Sequence, residues 1–167
     1  HRNPQGLDTD PATGALWDVE HGPRGGDELN LVKKGRNYGW PVITYGMNYN
    51  GTAMTDITHK EGMEQPVVYW VPSIAVCGMN FYTGDLFPQW RNHLFIASLA
   101  AEELRRLEIR DRQVVTQEVL FKDLGRIRHL DLEAGQPVQD GMGVDRLDGG
   151  DVGVGAVTDH EVGGHGG

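Results

Sequence analysis

Four segments carry residues whose types and spacing could do chemistry. The first is His1-Arg2-Asn3-Pro4-Gln5-Gly6. Arg2 offers a planar fork of five donors that suits a carboxylate, with the Asn3 amide beside it. The second is Glu20-His21-Gly22-Pro23-Arg24-Gly25-Gly26-Asp27-Glu28-Leu29-Asn30. Its glycines let backbone carbonyls approach a ligand, and Asp27 and Glu28 supply the hard oxygens that Ca2+ takes. The spacing is not that of an EF-hand loop. The third runs Gly35-Arg36-Asn37-Tyr38-Gly39-Trp40-Pro41 and continues with Tyr45-Gly46-Met47-Asn48-Tyr49. Interleaved aromatics and glycines can form a platform for a ring. The fourth is Arg126-Ile127-Arg128, whose two cations share a face in an extended chain. Each segment also has a plain structural reading: a solvated loop, an acidic turn with Asp27 capping local backbone, packed aromatics, a solvated pair.

Composition narrows the classes. The 167 residues hold 15 Lys and Arg against 24 Asp and Glu, a formal charge of −9. That balance argues against a broad nucleic-acid surface. Mean hydropathy is −0.44, and no apolar run approaches the ~20 residues of a membrane span. A lone cysteine, Cys77, excludes an intrachain disulfide and a cysteine metal cluster, and its apolar neighbours suit a small buried residue. Glycine is abundant at 24 residues, without the Gly-X-Y period of collagen.

Those segments need a scaffold, and its pattern is strands and turns. Residues 15–20, 67–70, 78–82, 93–98, 104–109 and 114–121 read as short strands between turn signals such as Asp10-Pro11-Ala12-Thr13-Gly14 and Arg110-Asp111-Arg112-Gln113. A short helix over 100–107 is the alternative to a hairpin there. No stretch shows a helical apolar stripe over three turns. The expectation is an all-β fold. At ~40–50 residues per blade, residues 1–128 would make about three propeller blades. No aromatic follows Phe121, and ten glycines crowd the stretch from Gly141 onward. Residues 129–167 are therefore expected to be a glycine-rich tail, either frameshifted or disordered. An open propeller sector also exposes strand edges, which favours pairing into a homodimer.

In this order the motifs resemble the soluble glucose/sorbosone dehydrogenase family, the aldose sugar dehydrogenases that use pyrroloquinoline quinone (PQQ). The resemblance rests on 2–6, 20–30 and 37–41, on Tyr69-Trp70-Val71-Pro72-Ser73-Ile74-Ala75, on Phe81-Tyr82-Thr83-Gly84-Asp85, on Phe87-Pro88-Gln89-Trp90 and on 126–128. It covers residues 1–128. It implies the C-terminal half of a six-bladed β-propeller with PQQ and Ca2+ at its mouth. By the same resemblance Arg2, Asn3, Tyr49, Arg126 and Arg128 contact PQQ. Gly22 and Pro23 form the turn whose carbonyls face the Ca2+ on PQQ. Glu28, with the backbone carbonyl of Tyr38, matches a second Ca2+ site. Two positions depart from the pattern: Leu99-Ala100-Ala101 lacks a lysine, and Val76-Cys77 stands where Pro-Ser is usual.

The implied activity is oxidation of an aldose at its anomeric carbon to a lactone, in a periplasmic or secreted enzyme whose electron acceptor the residues do not name. The family's general-base histidine is expected upstream of this chain, so 1–167 alone is expected to be inactive, with no catalytic residue of its own. Two other classes compete: a non-catalytic Ca2+-binding propeller that holds a sugar or protein, and a Ca2+-dependent propeller hydrolase that would not need Arg126 or Arg128.

Overall fold

A computed structural model describes residues 1–123, 125–132, 142–146 and 151–156. Among the described residues, eleven strands fall into three sheets. The first sheet is an antiparallel meander of β1 (Pro4–Thr9), β2 (Leu16–Glu20), β3 (Asp27–Val32) and β4 (Val68–Trp70). The second is a meander of β5 (Val76–Phe81), β6 (Leu94–Ser98), β7 (Leu104–Arg110) and β8 (Gln113–Phe121). The third joins β9 (Arg126–Asp131), β10 (Met142–Arg146) and β11 (Asp151–Ala156), with β11 between β10 and β9 and parallel to β9. A single 3-10 turn, Pro88–Trp90, is the helical element among the described residues.

The sheets stack so that their first strands are neighbours: β1 lies against β5, and β5 against β9. This is how propeller blades line a central axis. The close approach is made by glycine. A Cβ on Gly6 would sit 2.7 Å from the Cys77 carbonyl oxygen and 2.8 Å from Met79 Cγ. A Cβ on Gly78 would sit 3.0 Å from the Leu130 nitrogen. Both glycines are inside strands, so they serve backbone approach and not turns.

Strand periodicity distributes the apolar side chains between two cores. Trp17, Val19, Leu29, Trp70, Val76, Met79, Phe81, Leu94, Ile96 and Leu107 fill the space between the first and second sheets. Phe95, Ala97, Leu104, Ile127, Leu130 and Leu132 fill the space between the second sheet and β9. β6 is buried along its whole length because its alternate residues enter different cores. Each fully buried Leu, Ile or Phe of this kind contributes about 1.5–3 kcal/mol relative to exposure. Cys77 is buried, as its neighbours suggest.

The structure departs from the sequence reading in three places. β1 crosses the first motif, which reads as a loop because Pro4 and Gly6 mask the alternation, and a bulge falls between them. β3 occupies half of the acidic turn, because Leu29 and Leu31 supply the apolar phase of a strand. The tail expected over 129–167 is not without structure. β9 runs through Arg128 to Asp131, and β10 and β11 form a hydrogen-bonded pair. Main-chain pairing needs no aromatic, and glycine permits it; the remaining tail positions lie outside the described residues. Residues 104–110 form a strand and not a helix, answered by β8.

Because Gly6 closes β1 onto β5, Gly6→Val should cost about 1–3 kcal/mol by forcing the first two sheets apart. The urea midpoint of the variant should fall accordingly. An unchanged midpoint would mean that the two strands are not in this contact.

Candidate functional site

The register of β2 and β3 pairs Glu20 with Glu28 and Asp18 with Asn30. Strand alternation sends Trp17, Val19 and Leu29 into the core and these four polar side chains to the opposite face. That face is covered. Asp18, Glu20 and Asn30 are all at least 97% buried, and Glu28 is half-buried. Above them the His1 ring stacks on Tyr38 at 3.9 Å between centroids. His1 Nδ1 lies 3.1 Å from Asp18 Oδ2 and 3.2 Å from Glu20 Oε1. The Asn30 amide donates to Glu20 Oε1 at 3.0 Å and to Glu28 Oε2 at 3.4 Å. The other Asp18 oxygen, Oδ1, is buried and accepts no hydrogen bond among the described residues.

Burial is the main reason that Asp18 and Glu28 resist ionisation. It pushes Asp18 from 3.8 up to about 7, and the Glu20 charge adds to the shift. Glu28 rises from 4.5 to about 7 for the same two reasons. The Asn30 amide works in the opposite direction at both. Three carboxyl groups thus lie together around one imidazole and one side-chain amide.

Glu20 also faces outward. Its Oε2 accepts the Arg2 backbone N–H at 2.6 Å and the Asn3 backbone N–H at 3.2 Å. The Asn3 carbonyl in turn accepts the His21 N–H at 3.0 Å. The Arg2 side chain is held separately. Nη1 donates to the His21 carbonyl at 2.9 Å, Nη2 to the Tyr49 hydroxyl at 3.4 Å, and the guanidinium lies 5.2 Å from the Trp40 ring centroid. Arg2, Glu20, Gly22, Glu28, Tyr38 and Trp40 all line one cavity, whose remaining wall is His21, Gly26, Ile43 and Thr44.

Gly22 and Pro23 form a buried turn beside that cavity. Asp27 fixes the turn. Fully buried, it accepts the Gly22 N–H at 3.0 Å, the Ser73 hydroxyl at 2.7 Å and the Ala75 N–H at 2.7 Å. The capping alternative for Asp27 is therefore what the fold uses, extended across to the loop that enters β5. A Cβ on Gly22 would lie 2.1 Å from the Gly25 carbonyl oxygen, so only glycine permits the fold of the turn. Arg24 and Met47 exchange backbone hydrogen bonds and bring the 44–53 loop, with Tyr49, to the cavity mouth.

The structure thus brings Arg2, Gly22, Glu28 and Tyr38 to one cavity and Tyr49 to its rim, where it is 73% exposed. Pro23 follows Gly22 in the turn. Asn3 is exposed, and its side-chain oxygen accepts from Gln5 Nε2 at 3.0 Å. Arg126 and Arg128 sit apart from this cluster, on β9 of the third sheet, exposed on either side of buried Ile127. Tyr38 uses its hydroxyl locally: it donates to the Leu31 carbonyl at 2.8 Å and accepts the Lys33 N–H at 2.7 Å. Its ring is a wall, so any ligand role falls to its backbone. Sequence reasoning missed His1, Asp18, Glu20 and Asn30. The signal was present as two polar-x-polar pairs, Asp18-x-Glu20 and Glu28-x-Asn30, on strands that had to pair.

The first two sheets thus stack as adjacent blades, with a guanidinium fixed at the mouth of an acid-lined cavity. The chain belongs to the glucose/sorbosone dehydrogenase family, whose model matches residues 1–138, ten beyond Arg128. It is 46% identical over 130 residues to the aldose sugar dehydrogenase YliI of Escherichia coli strain K12, covering 76% of this chain and 35% of that protein. The crystal structure of the soluble aldose sugar dehydrogenase from Escherichia coli in its apo-form is similar with a TM-score of 0.70 at 40% identity, over 92% of this chain and 41% of that one. The PQQ-bound form of the aldose sugar dehydrogenase from Streptomyces coelicolor is similar with a TM-score of 0.58 at 28% identity, over 77% of this chain and 33% of that one. The chain spans about a third of the length of the curated relatives it matches. The fold is accordingly all-β, a sector of a β-propeller. No helix among the described residues is long and apolar enough to cross a membrane.

The acid cluster sets a pH dependence in divalent-free buffer. Asp18 and Glu28 stay protonated in the folded chain up to about 7, but the unfolded chain releases those protons near 3.8 and 4.5. The folded state therefore binds more protons across that window, and stability falls as pH rises through it. His1, Glu20 and Asn30 are the groups that face this pair. The urea midpoint should fall between pH 5 and pH 8, and Asp18→Asn should flatten the decline. A midpoint that rises over that range would contradict these raised values.

Proposed function

We propose that this chain is the cofactor-clamping part of a PQQ- and Ca2+-dependent dehydrogenase that oxidises aldoses at the anomeric carbon to lactones. The observation that carries the reading is Arg2, whose fork is held by the His21 carbonyl and Tyr49 over Trp40 at the cavity mouth. A guanidinium fixed in this way is already oriented for a carboxylate, so little side-chain entropy is lost on binding. The donor set fits a polyanionic quinone. Arg2, Asn3, Tyr49, Arg126 and Arg128 are the proposed contacts to PQQ, a molecule with three carboxylates. The Gly22–Pro23 turn, rigid through Asp27, would present its carbonyls to a Ca2+ on the cofactor. Glu28 with the Tyr38 backbone carbonyl would hold a second Ca2+, and the Asp18 oxygen that accepts no hydrogen bond among the described residues supports a cation on this face.

When bound, PQQ supplies the hydride acceptor. The residues of this chain bind and orient it: the arginines neutralise its carboxylates, Trp40 backs the Arg2 fork, and Glu20 fixes the backbone of Arg2 and Asn3. No residue of this chain is assigned as the base that takes the sugar hydroxyl proton, and the chain alone is proposed not to turn over. A periplasmic or secreted location follows from the family reading.

Titration of the chain with PQQ in Ca2+-containing buffer should give a saturable absorbance change. Each charge-assisted hydrogen bond is worth about 1.5–3 kcal/mol, so Arg2→Ala should weaken binding by tenfold or more, and so should Arg126→Ala with Arg128→Ala. Circular dichroism would check that the variants fold. Ca2+ binding without any response to PQQ would instead favour a calcium-only propeller module.

A further inference from the structure

We propose that Asp18 and Glu20 are ligands of a hard divalent cation of the Ca2+ class, held on the β2–β3 face together with Glu28. This deepens the reading that Glu28 binds Ca2+ and rests on it. It extends that site from one carboxylate to three and places the cation under His1.

The argument begins with geometry. One ligand atom each from His1, Asp18 and Glu20 lies within 4.8 Å of the others. The Asp18 and Glu20 oxygens of that group can meet on one ion, because Ca2+ takes its ligands at about 2.3–2.6 Å. Glu28 joins them through the strand register and through Asn30, whose amide touches both Glu20 and Glu28. The second observation is a buried oxygen of Asp18 that the contacts above leave unanswered. Asp18 is 98% buried, yet its Oδ1 accepts no hydrogen bond among the described residues. A buried carboxylate oxygen without a donor costs free energy, and an ion is the partner that such an oxygen lacks. The neighbouring acid shows the contrast: Asp27, equally buried, has the Gly22, Ser73 and Ala75 donors and needs no ion.

Ligand chemistry favours a hard ion. Three carboxylates outnumber the one imidazole, and oxygen-rich sets suit Ca2+ over softer metals. His1 Nδ1 now lies against Asp18 Oδ2 and Glu20 Oε1, so the entering ion displaces it from those oxygens. His1 acts as a cover and not as a ligand. Glu20 then connects the ion to the cofactor motif, since its Oε1 faces the cluster while its Oε2 holds the Arg2 and Asn3 backbone. Filling the site would stiffen the base of the Arg2 fork.

Terbium luminescence with Ca2+ competition on the full chain tests the proposal. The wild type should bind, and Asp18→Asn and Glu20→Gln should each weaken binding at least tenfold, as should Glu28→Gln. His1→Ala should bind equally or more tightly. If Glu28→Gln loses the ion while Asp18→Asn and Glu20→Gln bind like the wild type, the inference is overturned and the Glu28 reading stands. No binding by the wild type overturns both. A measurement without core substitutions guards against unfolded variants: Mn2+ added to the wild type should broaden the Asn30 side-chain amide and His1 ring resonances first. Broadening centred elsewhere would overturn the assignment.

Discussion

Burying carboxylates in a small β-structure is the constraint from which the rest of this molecule follows. An ionised carboxyl removed from water costs several kcal/mol unless donors or a counter-ion answer it. The first sheet buries Asp18, Glu20 and Asp27 within ten residues, with Glu28 partly covered beside them. Two different solutions operate side by side. Asp27 is satisfied by donors from its own turn and from the strand entry of the next blade. Asp18, Glu20 and Glu28 share His1 and Asn30, Glu20 takes the Arg2 and Asn3 backbone N–H groups besides, and one Asp18 oxygen accepts no hydrogen bond among the described residues.

These two solutions also explain how a local turn is built into the wall of the cavity. Asp27 couples the Gly22–Pro23 turn to Ser73 and Ala75, so the turn is fixed relative to the second sheet. Glu20 couples the acid face to the Arg2–Asn3 backbone. The cavity is therefore framed by electrostatic ties together with Tyr38, Trp40 and Ile43, and the large apolar cores lie on the other side of the same strands. The blade contacts through Gly6 and Gly78 pack β1 against β5 and β5 against β9.

Much of this was legible in the sequence. The strands β2, β4, β5, β6, β7 and β8 follow from alternation and turn residues, and the family motifs name Arg2, Gly22, Glu28 and Tyr38, which the cavity does unite. What escaped has a physical cause in each case. β1 was hidden by Pro4 and Gly6, whose value lies in a bulge and in contact with a strand 70 residues away. β3 was hidden because its acidic face looked like a loop. Asp18 and Glu20 looked like the solvent side of a strand, and only the pairing with β3 and the covering by His1 and Tyr38 turn that side inward. The glycines of the tail suggested no structure, but backbone pairing of β10 and β11 does not depend on side-chain bulk.

The central claim is that the β2–β3 face is built to hold a cation that its own side chains do not replace. Anomalous diffraction from a crystal of this chain soaked with a lanthanide at neutral pH tests it most directly. The account predicts one strong peak bounded by the carboxylates of Asp18, Glu20 and Glu28, with the His1 ring moved off them. An empty cluster, with His1 still against Asp18 and Glu20 in crystals that bind the ion elsewhere or not at all, would contradict it.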